Sequence, residues 1–168
     1  MSQETDVAKR ILFVCTGNSC RSVMAQGLLQ ARLKQLEHLL TEPIEVRSAG
    51  VFAIEGMPAS RETLRLLQSA GVDASGHMAR RLTEMLVQQS DMIFVMEPGH
   101  REEMIRRMPW AKDKVHLLGA FGTSQLVPDE QATITDPMGK PVEVYELCFA
   151  TIQQSIERIA QALTSTVR

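Results

Sequence analysis

Apolar residues run unbroken through 11–14, the pattern of a short strand buried on both faces. The spacing then changes. Over 22–40 the apolar positions Met24, Leu28, Leu29, Leu33, Leu36 and Leu40 recur at helical intervals, and Pro43 follows. A second strand is predicted over 44–48. A helix is predicted over 58–70, with Gly71 as its stop. The pattern continues with a short helix over 82–89, a third strand over 92–96, a charged helix over 99–108 and a fourth strand over 115–118. Residues 121–135 read as a loop carrying Asp129 and Glu130. A long helix over 142–163 closes the chain, with Val144, Leu147, Cys148, Ile152, Ile156, Ile159 and Leu163 on its apolar face.

Strands that alternate with helices predict an α/β fold: a three-layer sandwich with helices on both faces of a parallel sheet. No repeat, linker or low-complexity stretch divides the chain. One domain over 11–168, preceded by a polar tail over 1–10, is expected. In open sheets of this kind ligands bind outside the carboxyl ends of the strands. Cys15 falls at such an end.

Charge narrows the class of partner. The 168 residues carry 18 Lys and Arg against 20 Asp and Glu, a net charge of −2 with both signs mixed along the chain. No basic stripe points to nucleic acid. No apolar run reaches membrane-spanning length, and residues 1–10 lack the apolar stretch of a signal peptide. The three cysteines are an odd number in no metal-like spacing. A reactive thiol needs a reducing compartment, so a cytoplasmic location with no metal or other cofactor is expected.

The densest chemistry lies in Cys15-Thr16-Gly17-Asn18-Ser19-Cys20-Arg21-Ser22. A cysteine ends a strand, an arginine begins a helix, and small polar residues connect them. Such a loop can turn its backbone N–H groups inward around an oxyanion. The helix N-terminus adds unpaired donors and partial positive charge. Arg21 adds a planar fork that matches two phosphate oxygens. The same positive field favours the thiolate of Cys15, a nucleophile for phosphorus. The amides of Thr16, Gly17, Asn18, Ser19, Cys20 and Arg21 are the expected phosphate ligands. Ser22 can donate to the thiolate or cap the helix. Asn18 tolerates left-handed backbone angles. Read alone, Asp136-Pro137 is an ordinary turn starter. Cys20 and Cys148 read as buried packing residues, and His38, His100 and His116 carry no assigned role.

These residues together resemble the low-molecular-weight protein tyrosine phosphatases. The loop 15–22 is similar to their phosphate-binding loop. Arg47-Ser48-Ala49-Gly50 resembles their second-strand motif, His77-Met78-Ala79-Arg80 their His-x-Ala-Arg segment, and Asp136-Pro137 their general-acid loop. The motifs come in the family's order from about residue 10 to residue 163. The resemblance implies a four-stranded sheet of order 2-1-3-4. It also implies a phosphocysteine intermediate on Cys15, charge stabilisation by Arg21 and proton transfer by Asp136. Asn18, Ser22, Ser48 and His77 are implied as the network that holds the loop. A reversible Cys15–Cys20 disulfide is implied as protection against overoxidation.

Within the family, Val51-Phe52-Ala53 and Asp136-Pro137-Met138-Gly139 look most like bacterial members that act on phosphoarginine. Three activities follow. The first is hydrolysis of phosphotyrosine in proteins or peptides, with inorganic phosphate as product. The second is the same chemistry on phosphoarginine. The third is thiol-linked arsenate reduction, which related enzymes perform with extra cysteines near the third strand. Residues 93–98 hold none here, which makes this the remote reading. Ser19, Phe52 and Met138 are the expected specificity wall. Tyrosine-selective relatives usually place an aromatic residue at the Met138 position, and core packing is the competing role for Phe52.

Overall fold

A computed structural model describes residues 8–165. Strand β1 (Lys9–Cys15) lies at the centre of a four-stranded parallel sheet. It pairs on one side with β2 (Ile44–Gly50) and on the other with β3 (Met92–Val95), which pairs in turn with β4 (Val115–Leu117). The order is 2-1-3-4, as the resemblance implied. The register sets Cys15 beside Gly50 and Val14 beside Val95, so all three strands deliver their carboxyl ends to one edge.

The unbroken apolar run of β1 follows from burial on both faces. Ile11, Phe13 and Cys15 pack with helices α1 (Arg21–Gln35), α2 (Arg61–Ser69) and α6 (Val142–Thr164). Leu12 and Val14 pack on the opposite face with Val87 of α3 (Glu84–Gln89) and Met104 of α4 (Pro98–Arg107). Lys9 and Arg10, expected in the polar tail, are strand residues. Arg10 pairs with Glu45 of neighbouring β2 at 3.2 Å, so the central strand begins with charged residues the hydropathy pattern did not mark. Residues 1–7 of that tail lie outside the described residues.

Element ends move for local reasons. The first helix stops at Gln35 because Leu36 leaves helical angles, and a 3₁₀ turn (Glu37–Leu39) replaces its expected last turns. The second begins at Arg61, since the Ser60 hydroxyl accepts the Thr63 N–H at 3.3 Å. The loop over 121–135 contains a one-turn helix, α5 (Asp129–Ala132). On α6, Leu147 is 68 % exposed rather than buried. The buried stripe follows Tyr145, Cys148, Phe149, Ile152, Ile156 and Ile159, and Leu147 falls outside it.

Gly50 sets the distance between β2 and the loop after β1. A Cβ there would stand 2.5 Å from the Thr16 carbonyl oxygen and 2.9 Å from the Asn18 nitrogen. Gly50→Ala is therefore expected to destabilise the protein by about 1–3 kcal/mol, because backbone must shift to admit the methyl group. Gly99 lies in α4 with nothing near its Cβ position, so Gly99→Ala is the control that should hold or raise stability. Urea unfolding of both variants checks the contrast.

Candidate active site

Between Cys15 and Arg21 the chain turns through Asn18, which is fully buried at φ 54°. An asparagine at this angle needs support, and its own polar atoms supply it. Its side-chain amide donates to Ser22 Oγ at 2.8 Å and to Ser48 Oγ at 2.9 Å. Its side-chain oxygen accepts the Arg80 N–H at 3.0 Å, and its carbonyl oxygen lies 2.8 Å from His77 Nε2. The Ser48 hydroxyl in turn donates to Gln26 Oε1 at 2.5 Å. Ser22, Ser48 and His77 thus all meet at Asn18.

This scaffold leaves donors free. Among the described residues, no backbone N–H of Thr16, Gly17, Asn18, Ser19, Cys20 or Arg21 reaches a protein acceptor. The N-terminus of α1 also lacks a side-chain cap. Consecutive unpaired amides at a helix start form an anion-binding surface. Cys15, only 3 % exposed, sets its sulfur 3.0 Å from Ser22 Oγ. Because Ser22 accepts from Asn18, its hydroxyl proton is available to the sulfur.

Arg21 is 2 % exposed. Its Nη1 donates to Glu97 Oε1 at 2.6 Å and to the Ile134 carbonyl at 2.8 Å. Its Nη2 lies 3.5 Å from Thr16 Oγ1 and 3.6 Å from Asp136 Oδ2. Glu97 caps α4 in a reciprocal pair with His100, whose Nδ1 accepts the Glu97 N–H at 3.2 Å. The other nitrogen of His100 therefore carries the proton and donates to Thr16 Oγ1 at 2.9 Å. Burial, and secondarily the Arg21 guanidinium, push the His100 pKa down to about 4, so the ring is neutral near pH 7.

The segment bearing Asp136 is anchored at two points. The Ile134 N–H donates to the Met96 carbonyl at 2.9 Å. Gly119 packs so closely on the Ala132 backbone that no side chain fits there. Asp136 itself is half-exposed, and its Oδ1 accepts the Met138 N–H at 3.1 Å. Ser19 is partly buried, Met138 is 52 % exposed and Phe52 is 66 % exposed. Phe52 is thus not a core residue; its ring lies 5.4 Å from the Arg107 guanidinium carbon.

The other thiols differ from Cys15 in their partners. Cys20 is buried, with its sulfur 3.2 Å from Ser60 Oγ. Cys148 packs in the core as expected, and burial pushes its pKa up to about 12, which keeps it a thiol. No group of three or more His, Cys, Asp or Glu is placed to hold a metal ion among the described residues. No helix among them is long and apolar enough to cross a membrane.

Sequence reasoning missed Glu97, His100 and Gln26. Glu97-Pro98 at a predicted helix start, with a polar residue three positions on, was a capping signal. Nothing in the sequence said that the cap would also face Arg21.

The family model described as low molecular weight phosphotyrosine protein phosphatase matches residues 10–168. A protein-arginine-phosphatase of Geobacillus stearothermophilus is 39% identical over 92% of this chain and 95% of its own. A probable low molecular weight protein-tyrosine-phosphatase, EpsP of Ralstonia nicotianae, is 35% identical over 89% and 92%. Among solved structures, the YwlE arginine phosphatase from Geobacillus stearothermophilus superposes with a TM-score of 0.82 at 37% identity, covering 94% of each chain.

The buried imidazole makes stability depend on pH. Below its ordinary value of 6.5, His100 takes up a proton in the unfolded chain, while in the folded protein it stays neutral down to about pH 4. The unfolded state binds more protons across that window, so stability falls as pH drops from about 6.5 towards 4. His100→Gln keeps a donor for Thr16 and removes the titration. Chemical denaturation at steps between pH 7 and pH 4 is expected to show a shallower loss of stability in the variant than in the wild type.

Proposed function

The chain belongs to the low molecular weight phosphotyrosine protein phosphatase family of cysteine-based hydrolases, and on that premise we propose that it removes phosphoryl groups from protein side chains through a phosphocysteine. The carrying observation is convergence at one sheet edge. Cys15, the unpaired loop amides, the Arg21 guanidinium and the Asp136 carboxylate meet there, with Asp136 3.6 Å from Arg21. The Cys15 thiolate attacks phosphorus in line, and the bond to the leaving group breaks. Arg21 and the amides of Thr16, Gly17, Asn18, Ser19, Cys20 and Arg21 stabilise the equatorial oxygens. Asp136 gives its proton to the leaving atom. It then takes one from the water that attacks the phosphocysteine, releasing inorganic phosphate and restoring Cys15. Asn18, Ser22, Ser48 and His77 keep the loop in shape, while Glu97 and His100 orient Arg21 and Thr16.

Phosphotyrosine is the first substrate reading, from the family and from Phe52, an exposed ring near the loop: the Phe52 N–H donates to the Thr16 carbonyl at 3.0 Å. Phosphoarginine is the second. It is supported by the arginine phosphatase relative, by the small hydroxyl side chain of Ser19, and by Met138, a flexible side chain that offers no ring to stack. Cys15 and Cys20 form a protective disulfide when an oxidant such as peroxide takes up their two electrons; reopening it needs a reducing compartment, which supports the cytoplasmic reading.

Asp136→Asn is expected to slow turnover of alkyl phosphates and other poor leaving groups by roughly 10²–10⁴. It should slow nitrophenyl phosphate far less, since nitrophenolate departs without a proton. Equal losses on both substrates would remove Asp136 from the proton-transfer role.

Selectivity is read by turning over phosphotyrosine and phosphoarginine peptides side by side. Activity on both is expected. Ser19→Ile should move the ratio of specificity constants towards phosphotyrosine by about 10–100-fold, because the added apolar bulk favours a ring over a guanidinium. An unchanged ratio would place selectivity away from Ser19.

A further inference from the structure

Beside the phosphate loop lies a second concave surface, a cleft of about 670 Å³. That volume suits a small organic ligand. We infer that it is a second binding site, for a small molecule carrying a phosphoryl group, and that its occupancy is felt by the phosphate loop. The inference goes beyond the hydrolytic reading and needs no chemistry at Cys15.

Charge identifies the ligand class. Arg47, Arg80 and Arg81 line the cleft, against the single carboxylate of Glu55. Arg47 is neutralised by Glu45 at 2.6 Å. Arg81 spends its Nε on the Ala53 carbonyl at 3.0 Å, while Glu55 accepts its backbone N–H rather than its guanidinium. The Arg80 guanidinium has no partner among the described residues. Two guanidinium groups therefore face one concavity with little neutralisation, which focuses positive potential and suits bidentate contact with phosphoryl oxygens. Met78 and Leu86 give the cleft an apolar wall, which a bare anion would not use.

Coupling follows from what builds the inner wall. Gln26, Ser48, His77 and Arg80 line the cleft; Ser48, His77 and Arg80 bond Asn18 directly, and Gln26 accepts from Ser48 behind it. His77 reaches the Asn18 carbonyl at 2.8 Å, and the Arg80 backbone reaches its side chain at 3.0 Å. A ligand on Arg80 and His77 therefore bears directly on the supports of Asn18, the one non-glycine residue at positive φ among the described residues.

The test uses the full-length chain carrying Cys15→Ser, which keeps the loop amides and does not consume the probe. Its amide resonances are followed during titration with inorganic phosphate and, separately, with adenosine 5′-monophosphate. Resonances of residues 76–81 and 83 are expected to shift along a saturation curve distinct from that of residues 16–21. The nucleotide should bind the cleft at least tenfold more tightly than phosphate, because only it meets the apolar wall. Equal affinities would identify the ligand as the free anion and still establish the site. Adding Arg80→Ala and Arg81→Ala removes two exposed side chains and leaves the Arg80 backbone bond intact, so the fold should persist, as an otherwise unchanged spectrum will show. In that variant the cleft affinity should fall at least tenfold, and the part of the Asn18 shift that tracks cleft occupancy should vanish. The response of residues 16–21 to phosphate should remain. Shifts confined to residues 16–21, or cleft shifts that survive both arginine substitutions with unchanged affinity, would overturn the inference.

Discussion

A guanidinium that cannot shed its charge is buried at the carboxyl edge of the sheet, and much of the molecule is arranged around that fact. Arg21 is 2 % exposed. Burying such an ion costs several kcal/mol unless charge and hydrogen bonds answer it. Glu97 answers the charge at 2.6 Å, and the Ile134 carbonyl takes a second donor at 2.8 Å. Those two partners come from opposite directions: one from the turn between β3 and α4, the other from the segment that leads to Asp136. A single side chain thereby ties the start of α1 to the end of β3 and to the Asp136 loop. The Arg21 bond to Ile134 thus joins the Met96 and Gly119 contacts in setting where Asp136 stands relative to the phosphate loop.

The loop is held from its other side by a second network. Asn18 joins the loop to β2 through Ser48, to α1 through Ser22, and to the 77–80 segment through His77 and the Arg80 backbone. The two networks divide the work. The Asn18 side sets the backbone curve that leaves the amides unpaired, and the Arg21 side sets the charge. The Arg21 side takes in Thr16 as well, whose hydroxyl accepts from neutral His100 and lies 3.5 Å from Arg21. Burial first, and then the Arg21 charge beside it, keep the His100 ring neutral.

How much of this was legible in the sequence depended on how local its cause was. The central strand announced itself as an unbroken apolar run because both its faces are covered. The loop was legible because its residues are contiguous. Strand order was not legible from periodicity and came from family resemblance, since hydrogen bonding between strands leaves no pattern along one strand. Glu97 and His100 stayed hidden because they lie 76 and 84 residues from the groups they serve, Arg21 and Thr16. Leu147 misled because helical spacing alone does not say where a buried stripe ends. Phe52 was undecided between core and wall, and only its exposure, 66 %, removes the core reading.

The central claim is that phosphorus becomes bonded to Cys15 during turnover. Rapid acid quench of the wild-type protein during nitrophenyl phosphate hydrolysis, followed by proteolysis and mass spectrometry, tests it most directly. The account predicts one phosphate adduct, on the peptide containing Cys15, that forms within a turnover and disappears when substrate is exhausted. An adduct on another side chain, or none while nitrophenolate is released at full rate, would contradict it.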